Sequence, residues 1–233
     1  MKNVAVLFSG AKDSTFAVYK ALAMGLHVKM LLTFVPARSD SYMFHHPNAR
    51  WAKLHAEAMG IPIVFREVSG EETKEVEEMK EILKSLKPEI EGVVSGALAS
   101  RYQRVRIDNV CREIGLESFA PHWERPMKDY MSELLMLGFD VIFTAVAAEG
   151  LTEKWLGRRL DAEALKDLEK LHEKYGVHVG GEGGEYESFV LDAPIFKKKI
   201  RILRAHKEWD GARGEYVIEN AELVEKQKSF SES

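Results

Sequence analysis

Asn3-Val4-Ala5-Val6-Leu7-Phe8 leads into Ser9-Gly10-Ala11-Lys12-Asp13-Ser14, and Thr15 to Met24 follows with Gly25 behind it. The first six residues are an apolar run of strand length. The last ten have helical composition and a glycine stop. A buried strand that enters a helix through a turn of Ser, Gly and Lys is a phosphate-binding design. The start of a helix offers backbone N–H groups without intrahelical partners and the positive end of the dipole. Lys12 adds a mobile cation, and Ser9 and Ser14 add hydroxyls. The string is neither a Walker A loop nor Gly-x-Gly-x-x-Gly. The plainer reading is a strand-to-helix turn with an Asp/Ser cap. Ala11 implies a negative φ at its position, because a Cβ is strained in the left-handed region.

Outward from this stretch, strands and helices alternate. Further strands are expected at His27–Val35, Ile61–Val68, Gly92–Ser95, Ser118–Ala120 and Phe139–Ala148. Helices are expected at Ala49–Met59 with Asn48 as cap, at Glu71–Leu86, at 101–114 and at Asp129–Leu137. Pro36 to Pro47 reads as a loop carrying Arg38, Asp40, His45 and His46. The strands are apolar along their length rather than at every second residue, which predicts a parallel sheet covered on both faces. Ligands then bind beyond the carboxyl ends of the strands, so the 9–14 loop, the 36–47 loop and the segment from Gly96 should line one cleft.

The pattern changes near Glu149. An amphipathic helix over 162–175 precedes a glycine-rich stretch, and then short alternating strands at Phe189–Leu191, Lys199–His206 and Glu215–Val224. The expected fold class is α/β. A parallel, doubly wound, Rossmann-like domain spans 1–148, and a smaller α+β domain spans 149–233. Lys226 to Ser233 reads as a frayed tail.

Composition narrows the classes. The 233 residues are 45% hydrophobic and contain no run of 18 apolar residues, so no membrane partner is expected. The start enters a strand at once, without a signal-peptide layout. One cysteine, Cys111, rules out an internal disulfide and fits a reducing, cytoplasmic setting. A net charge of -4 argues against a stable nucleic-acid partner.

Two other motifs carry chemistry. Gly96 to Arg106 runs from a strand end into a helix that Ser100 can cap, with Tyr102, Gln103, Arg104 and Arg106 in the first turns. Arginine sits poorly at the positive end of a helix dipole but suits phosphate or carboxylate. Arg101, Arg104 and Arg106 cannot all face one way, and the alternative is a solvated basic face. Gly180-Gly181-Glu182-Gly183-Gly184-Glu185-Tyr186-Glu187 combines four glycines with three carboxylates, for close backbone approach and for Mg²⁺ or a cationic group. The alternative is a flexible hairpin loop of solvated acids. His55, His172 and His206 read as isolated, Cys111 as a buried thiol, and the four tryptophans as packing residues.

Ser9 to Ser14 resembles the Ser-Gly-Gly-x-Asp-Ser loop of the PP-loop ATP pyrophosphatases, with Ala11 in place of a second glycine. Together with Ser-x-Tyr-Gln-Arg at Ser100 to Arg104 and Gly181 to Leu191, the chain resembles the diphthine–ammonia ligase branch of that superfamily. The resemblance implies ATP as substrate with Mg²⁺, ammonia as nitrogen donor, and translation elongation factor 2 bearing diphthine as protein substrate. It leaves a homodimer open. It places Ser9, Gly10, Ala11, Lys12, Asp13, Ser14 and Gly96 on the nucleotide, with backbone of Leu32, Thr33 and Phe34 at adenine. Asp13 is the carboxylate it offers to the metal. Ser100, Tyr102, Gln103, Arg106, Gly183, Glu185, Tyr186 and Glu187 would meet the substrate, and Lys12, Asp13, Glu182 and Glu185 would carry catalysis. Tyr186 would add a cation–π contact to the trimethylammonium of diphthine. The alternatives are another PP-loop enzyme, such as a tRNA-modifying ligase or thiolase with Lys197, Lys198, Lys199, Arg201 and Arg204 as an RNA face, or a nucleotide-binding module without turnover.

Overall fold

The computed structural model describes residues 1–37, 48–98 and 100–226. The loop residues Arg38, Asp40, His45 and His46 therefore lie outside the described residues. Strands β1 (Asn3–Leu7), β2 (His27–Pro36), β3 (Ile63–Val68), β4 (Gly92–Val94) and β5 (Glu117–Phe119) pair in parallel, in the order β3-β2-β1-β4-β5. Helices α1 (Lys12–Ala23), α2 (Ala52–Met59), α3 (Glu72–Leu86) and α4 (Arg101–Ile114) make the crossovers. β1 sends the chain to β2 on one side, while β4 lies on its other side. The carboxyl ends of β1 and β4 therefore mark the switch point where such sheets bind ligands.

The second sheet is antiparallel. It contains β6 (Asp140–Val146), β7 (Tyr186–Asp192), β8 (Lys198–Trp209) and β9 (Gly214–Glu225), in the order β7-β6-β9-β8. Helix α5 (Met127–Met136) precedes β6, and α6 (Ala162–Tyr175) separates β6 from β7. The strand expected as a further member of the parallel sheet is thus corrected to the second sheet. β6 is buried on both faces, so its apolar run reads alike in either setting. The change of sheet falls ahead of the boundary expected at 148.

Two other expectations need correction. α1 begins at Lys12, not Thr15, so Lys12, Asp13 and Ser14 belong to its first turn. Asn48 caps no α-helix. A 3₁₀ turn over Ala49–Trp51 intervenes, and the Asn48 side-chain amide donates to the Tyr216 carbonyl at 3.4 Å. The other caps follow the sequence: Ser100 accepts from the Gln103 N–H, and Gly115 and Gly176 end α4 and α6 in the left-handed region.

Apolar clusters cover both faces of the parallel sheet. Ala5, Leu32, Met79, Leu83, Ile107 and Val110 pack α3 and α4 on one face. On the other, Val4, Phe16, Leu31, Tyr130, Phe143 and Phe189 join α1 and α5 to the second sheet. Phe16 has no exposed surface and meets the rings of Tyr130 at 5.4 Å and Phe139 at 5.3 Å. Phe16→Ala would leave a cavity worth about 3–5 kcal/mol.

Two histidines sit in this core and set an acid limit on stability. His55 hydrogen-bonds the Val190 carbonyl through Nε2 at 2.8 Å, and burial pushes its pKa down to about 4 against the pull of two carbonyls. His122 stacks on Phe16 at 4.5 Å, and neither of its ring nitrogens has a partner among the described residues. Burial outweighs Asp13 and lowers its pKa to about 4 as well. Both are neutral in the fold and take up a proton near 6.5 when unfolded. Their contribution is therefore full above pH 6.5 and is lost as pH falls through 4, on the order of 3 kcal/mol each. The urea midpoint is expected to fall between pH 7 and pH 4.5. His122→Leu should flatten that slope, and an unchanged slope would contradict this account.

Candidate active site

At the end of β1 the chain turns through Gly10, whose φ of 84° only glycine adopts freely. A Cβ there would also lie 2.7 Å from the His55 ring. Ala11 has φ −75° and ψ 166°, the ordinary extended geometry its side chain demands. The Ser9 N–H donates to Ser14 Oγ at 3.2 Å, and Ser14 Oγ donates to the Ala11 carbonyl at 3.2 Å. The cap residue is Ala11, which makes no side-chain cap bond, so the plain Asp/Ser cap does not apply. β7 fixes the turn from outside. Val190 N–H donates to the Gly10 carbonyl at 3.1 Å, and Lys12 N–H donates to Ser188 Oγ at 3.1 Å.

Lys12 is not the mobile cation the sequence suggests. Its Nζ donates to Asp13 Oδ2 at 2.9 Å and to the Gly180 carbonyl at 2.6 Å, and stands 5.2 Å above the Tyr186 ring. Its side chain is 3% exposed. A lysine in the first turn opposes the helix dipole, so this tie to another loop sets its position. Burial pulls its pKa down, but Asp13 beside it, with Tyr186 and Glu182, prevails and holds it above the ordinary value. Asp13 is held from its other side by the Tyr130 hydroxyl, which donates to Oδ1 at 2.5 Å.

The glycine-rich stretch is ordered by its own acids rather than being a loose hairpin. Glu185 accepts from the His178 N–H at 3.0 Å through Oε1 and from the Gly183 N–H at 2.8 Å through Oε2. Glu182 accepts from the Ser100 N–H at 3.3 Å and so reaches the start of α4. The Tyr186 hydroxyl donates to the Val179 carbonyl at 2.7 Å. Its ring is buried and faces Lys12.

These segments enclose a cavity of about 370 Å³ at the switch point. Of the expected site residues, Ser9, Ala11, Lys12, Asp13, Ser14, Leu32, Phe34, Gly96, Ser100, Gln103, Glu182, Gly183, Tyr186 and Glu187 line it. Gly10, Thr33, Tyr102, Arg106 and Glu185 do not. Thr33 is buried and donates to the Phe8 carbonyl at 2.8 Å. The Arg106 guanidinium lies 3.2 Å from the centre of the Tyr102 ring and donates to the Tyr102 carbonyl. Helical spacing explains the split: Ser100, Gln103 and Ile107 share the cavity face, and Tyr102 and Arg106 share the next one. Arg104 pairs with Asp108 at 2.6 Å, and Arg101 is the solvated arginine. Leu7, Phe8, Ser95, Ala97, Ile107 and Ser188 also line the cavity and were missed. For Leu7, Phe8, Ser95 and Ala97 the available signal was their place at the ends of β1 and β4, for Ile107 it was helical spacing from Ser100 and Gln103, and Ser188 lies within β7, where no local signal pointed to the cavity.

The family model described as Diphthamide synthase N-terminal domain matches residues 1–118, and that of Diphthamide synthase C-terminal domain matches residues 126–224. The chain belongs to the diphthamide synthase family. The diphthine–ammonia ligases of Bos taurus and Homo sapiens are 41% and 39% identical to it over 221 residues, 86% of this chain and 82% of theirs. That of Saccharomyces cerevisiae is 32% identical over 84% of this chain and 34% of its own length. Among solved structures, a predicted subunit of tRNA methyltransferase from Methanocaldococcus jannaschii is 18% identical, with a TM-score of 0.46, over 83% of this chain and 98% of that one.

The gap between the two matched regions falls where the backbone leaves the parallel sheet after β5. The basic run on β8 is not an open cationic face. Lys198 pairs with Glu225, Arg201 with Glu222 and Arg204 with Glu219 across the hairpin. Cys111 is buried, and its thiol pKa is pushed up to about 11 by burial and by Asp108. No helix among the described residues is long and apolar enough to cross a membrane.

Proposed function

We propose that this chain amidates diphthine on translation elongation factor 2 to diphthamide, with ATP and ammonia as co-substrates. One observation carries the reading. Lys12 of the 9–14 turn is bonded to Gly180 of the acidic loop, so the phosphate end and the acceptor end share one cavity. A substrate carboxylate oxygen attacks the α-phosphorus and pyrophosphate leaves. Ammonia then attacks the acyl carbon of the adenylate and AMP leaves. The first-turn amides of α1, Ser9, Ser14 and the Lys12 ammonium hold the departing pyrophosphate. Leu32 and Phe34 form the adenine end. Glu182 and Glu187 face the cationic acceptor and the incoming ammonia, and take the proton that the nitrogen loses. A weakly acidic, buried Cys111 leaves no reactive thiol for a glutaminase step, which favours free ammonia.

A magnesium ion fits this wall as a companion of the phosphates. It needs only one or two carboxylates besides phosphate oxygens, and Asp13 retains a further lone pair on each oxygen. Such an ion would neutralise charge on the triphosphate. Purified chain given ATP, ammonium and diphthine-bearing factor is expected to form AMP, pyrophosphate and diphthamide in equal amounts. AMP formation that is unchanged when the factor lacks diphthine would sink the proposal.

A further inference from the structure

His178 is not among the residues that line the cavity, yet two backbone amides converge on its ring. Its Nδ1 lies 3.2 Å from the Gly180 N and 3.3 Å from the Glu182 N. A ring nitrogen that accepts two N–H bonds carries no proton, so the imidazole is neutral with its hydrogen on Nε2. The backbone N–H of the same residue is held by Glu185. Residues 178 to 185 thus form a closed knot, in which one ring atom fixes the 179–180 and 181–182 peptide planes and so brackets the 180–181 peptide between them.

The bracketed peptide and the residue after it lead into the site. The Gly180 carbonyl receives the Lys12 ammonium at 2.6 Å, and Glu182 spans to the Ser100 N–H at 3.3 Å. Four glycines in the five positions 180–184 leave the segment little stiffness of its own. We propose that His178 is a positioning residue: its unprotonated Nδ1 aims the Gly180 carbonyl at Lys12 and Glu182 across the cavity. The proposal rests on the functional reading above, in which Lys12 and Glu182 serve the two ends of the reaction.

The test compares His178→Ala, His178→Asn and His178→Gln in ATP-dependent amidation with ammonium. Asparagine puts an acceptor where Nδ1 stands, and glutamine puts one where Nε2 stands. His178→Ala is expected to lower kcat about a hundredfold, with the KM for ATP nearly unchanged, because the adenine end of the cavity does not use this loop. His178→Asn should return to within about tenfold of the parent, and His178→Gln should stay with alanine. Wild-type kcat in His178→Ala, or equal rescue by glutamine, overturns the proposal. On the unsubstituted protein, long-range ¹H–¹⁵N spectra should show the Nε2–H tautomer at neutral pH. An Nδ1–H or doubly protonated ring overturns it even if the variants fail to fold. Lys12→Ala is run in parallel. If that change leaves AMP formation intact, the functional reading has failed. If it blocks AMP formation while His178→Ala does not, only the positioning proposal has failed.

Discussion

Lys12→Ala is expected to remove AMP and pyrophosphate formation, by about a thousandfold, while the chain stays folded. Among the described residues the ammonium is the one cation on the wall beside the 9–14 turn, and Asp13 and Tyr186 keep it charged at neutral pH despite its burial. Pyrophosphate leaving the α-phosphorus gathers negative charge where Lys12 is already held, so no side chain must be reorganised during the reaction. The structural cost of the change is smaller. Asp13 keeps the Tyr130 hydroxyl at Oδ1, while its Oδ2 loses the ammonium and the Gly180 carbonyl loses its partner, together about 1–3 kcal/mol. At this chain length that lowers the melting temperature by roughly 2–12 °C. Lys12→Arg should not restore turnover, because a planar fork does not fit a 3%-exposed slot shaped for a point charge. Pyrophosphate release near the parent rate from a folded Lys12→Ala protein would remove the turn from the chemistry.

How much of this was legible depends on the range of each interaction. The 3–25 unit was readable because its signals are local: an apolar strand, a turn with Ser and Gly, and a helix. Even Ala11 could be given its φ in advance, since a Cβ limits the choice. The pinning of Lys12 was not readable, because its carbonyl partner is 168 residues away. Nothing in the composition of either segment encodes that contact. β6 was placed in the wrong sheet because burial on both faces produces the same apolar run whether neighbours are parallel or antiparallel. Two placements outside the cavity follow from local geometry alone. The helical angle alone separates Ser100 and Gln103 from Tyr102 and Arg106. And a carboxylate two residues after Gly183 is well placed to accept that glycine's own N–H, as Glu185 does.

Gly96→Ala is expected to lower kcat/KM for ATP about a hundredfold, although glycine is not needed there for its φ and no chemistry uses its atoms. A Cβ at this position would lie 2.7 Å from the Asp13 carbonyl carbon, 2.8 Å from its oxygen and 2.9 Å from the Ser14 nitrogen. All three are backbone atoms in the first turn of α1. No side chain can swing aside, so either the end of β4 or the 9–14 turn must move by several tenths of an ångström. That turn is also tied to β7 at Gly10 and Lys12, so the shift passes into the Lys12–Gly180 contact. Overpacking of this kind costs about 1–3 kcal/mol. Gly138→Ala separates stability from positioning. Gly138 has φ 78°, with nothing within 4 Å of an added Cβ, so its cost is backbone strain of about 1–2 kcal/mol, away from the cavity. The two variants should therefore melt at similar temperatures, yet only Gly96→Ala should lose ATP turnover. Equal kcat/KM in both would mean that the close approach of β4 to α1 serves packing alone.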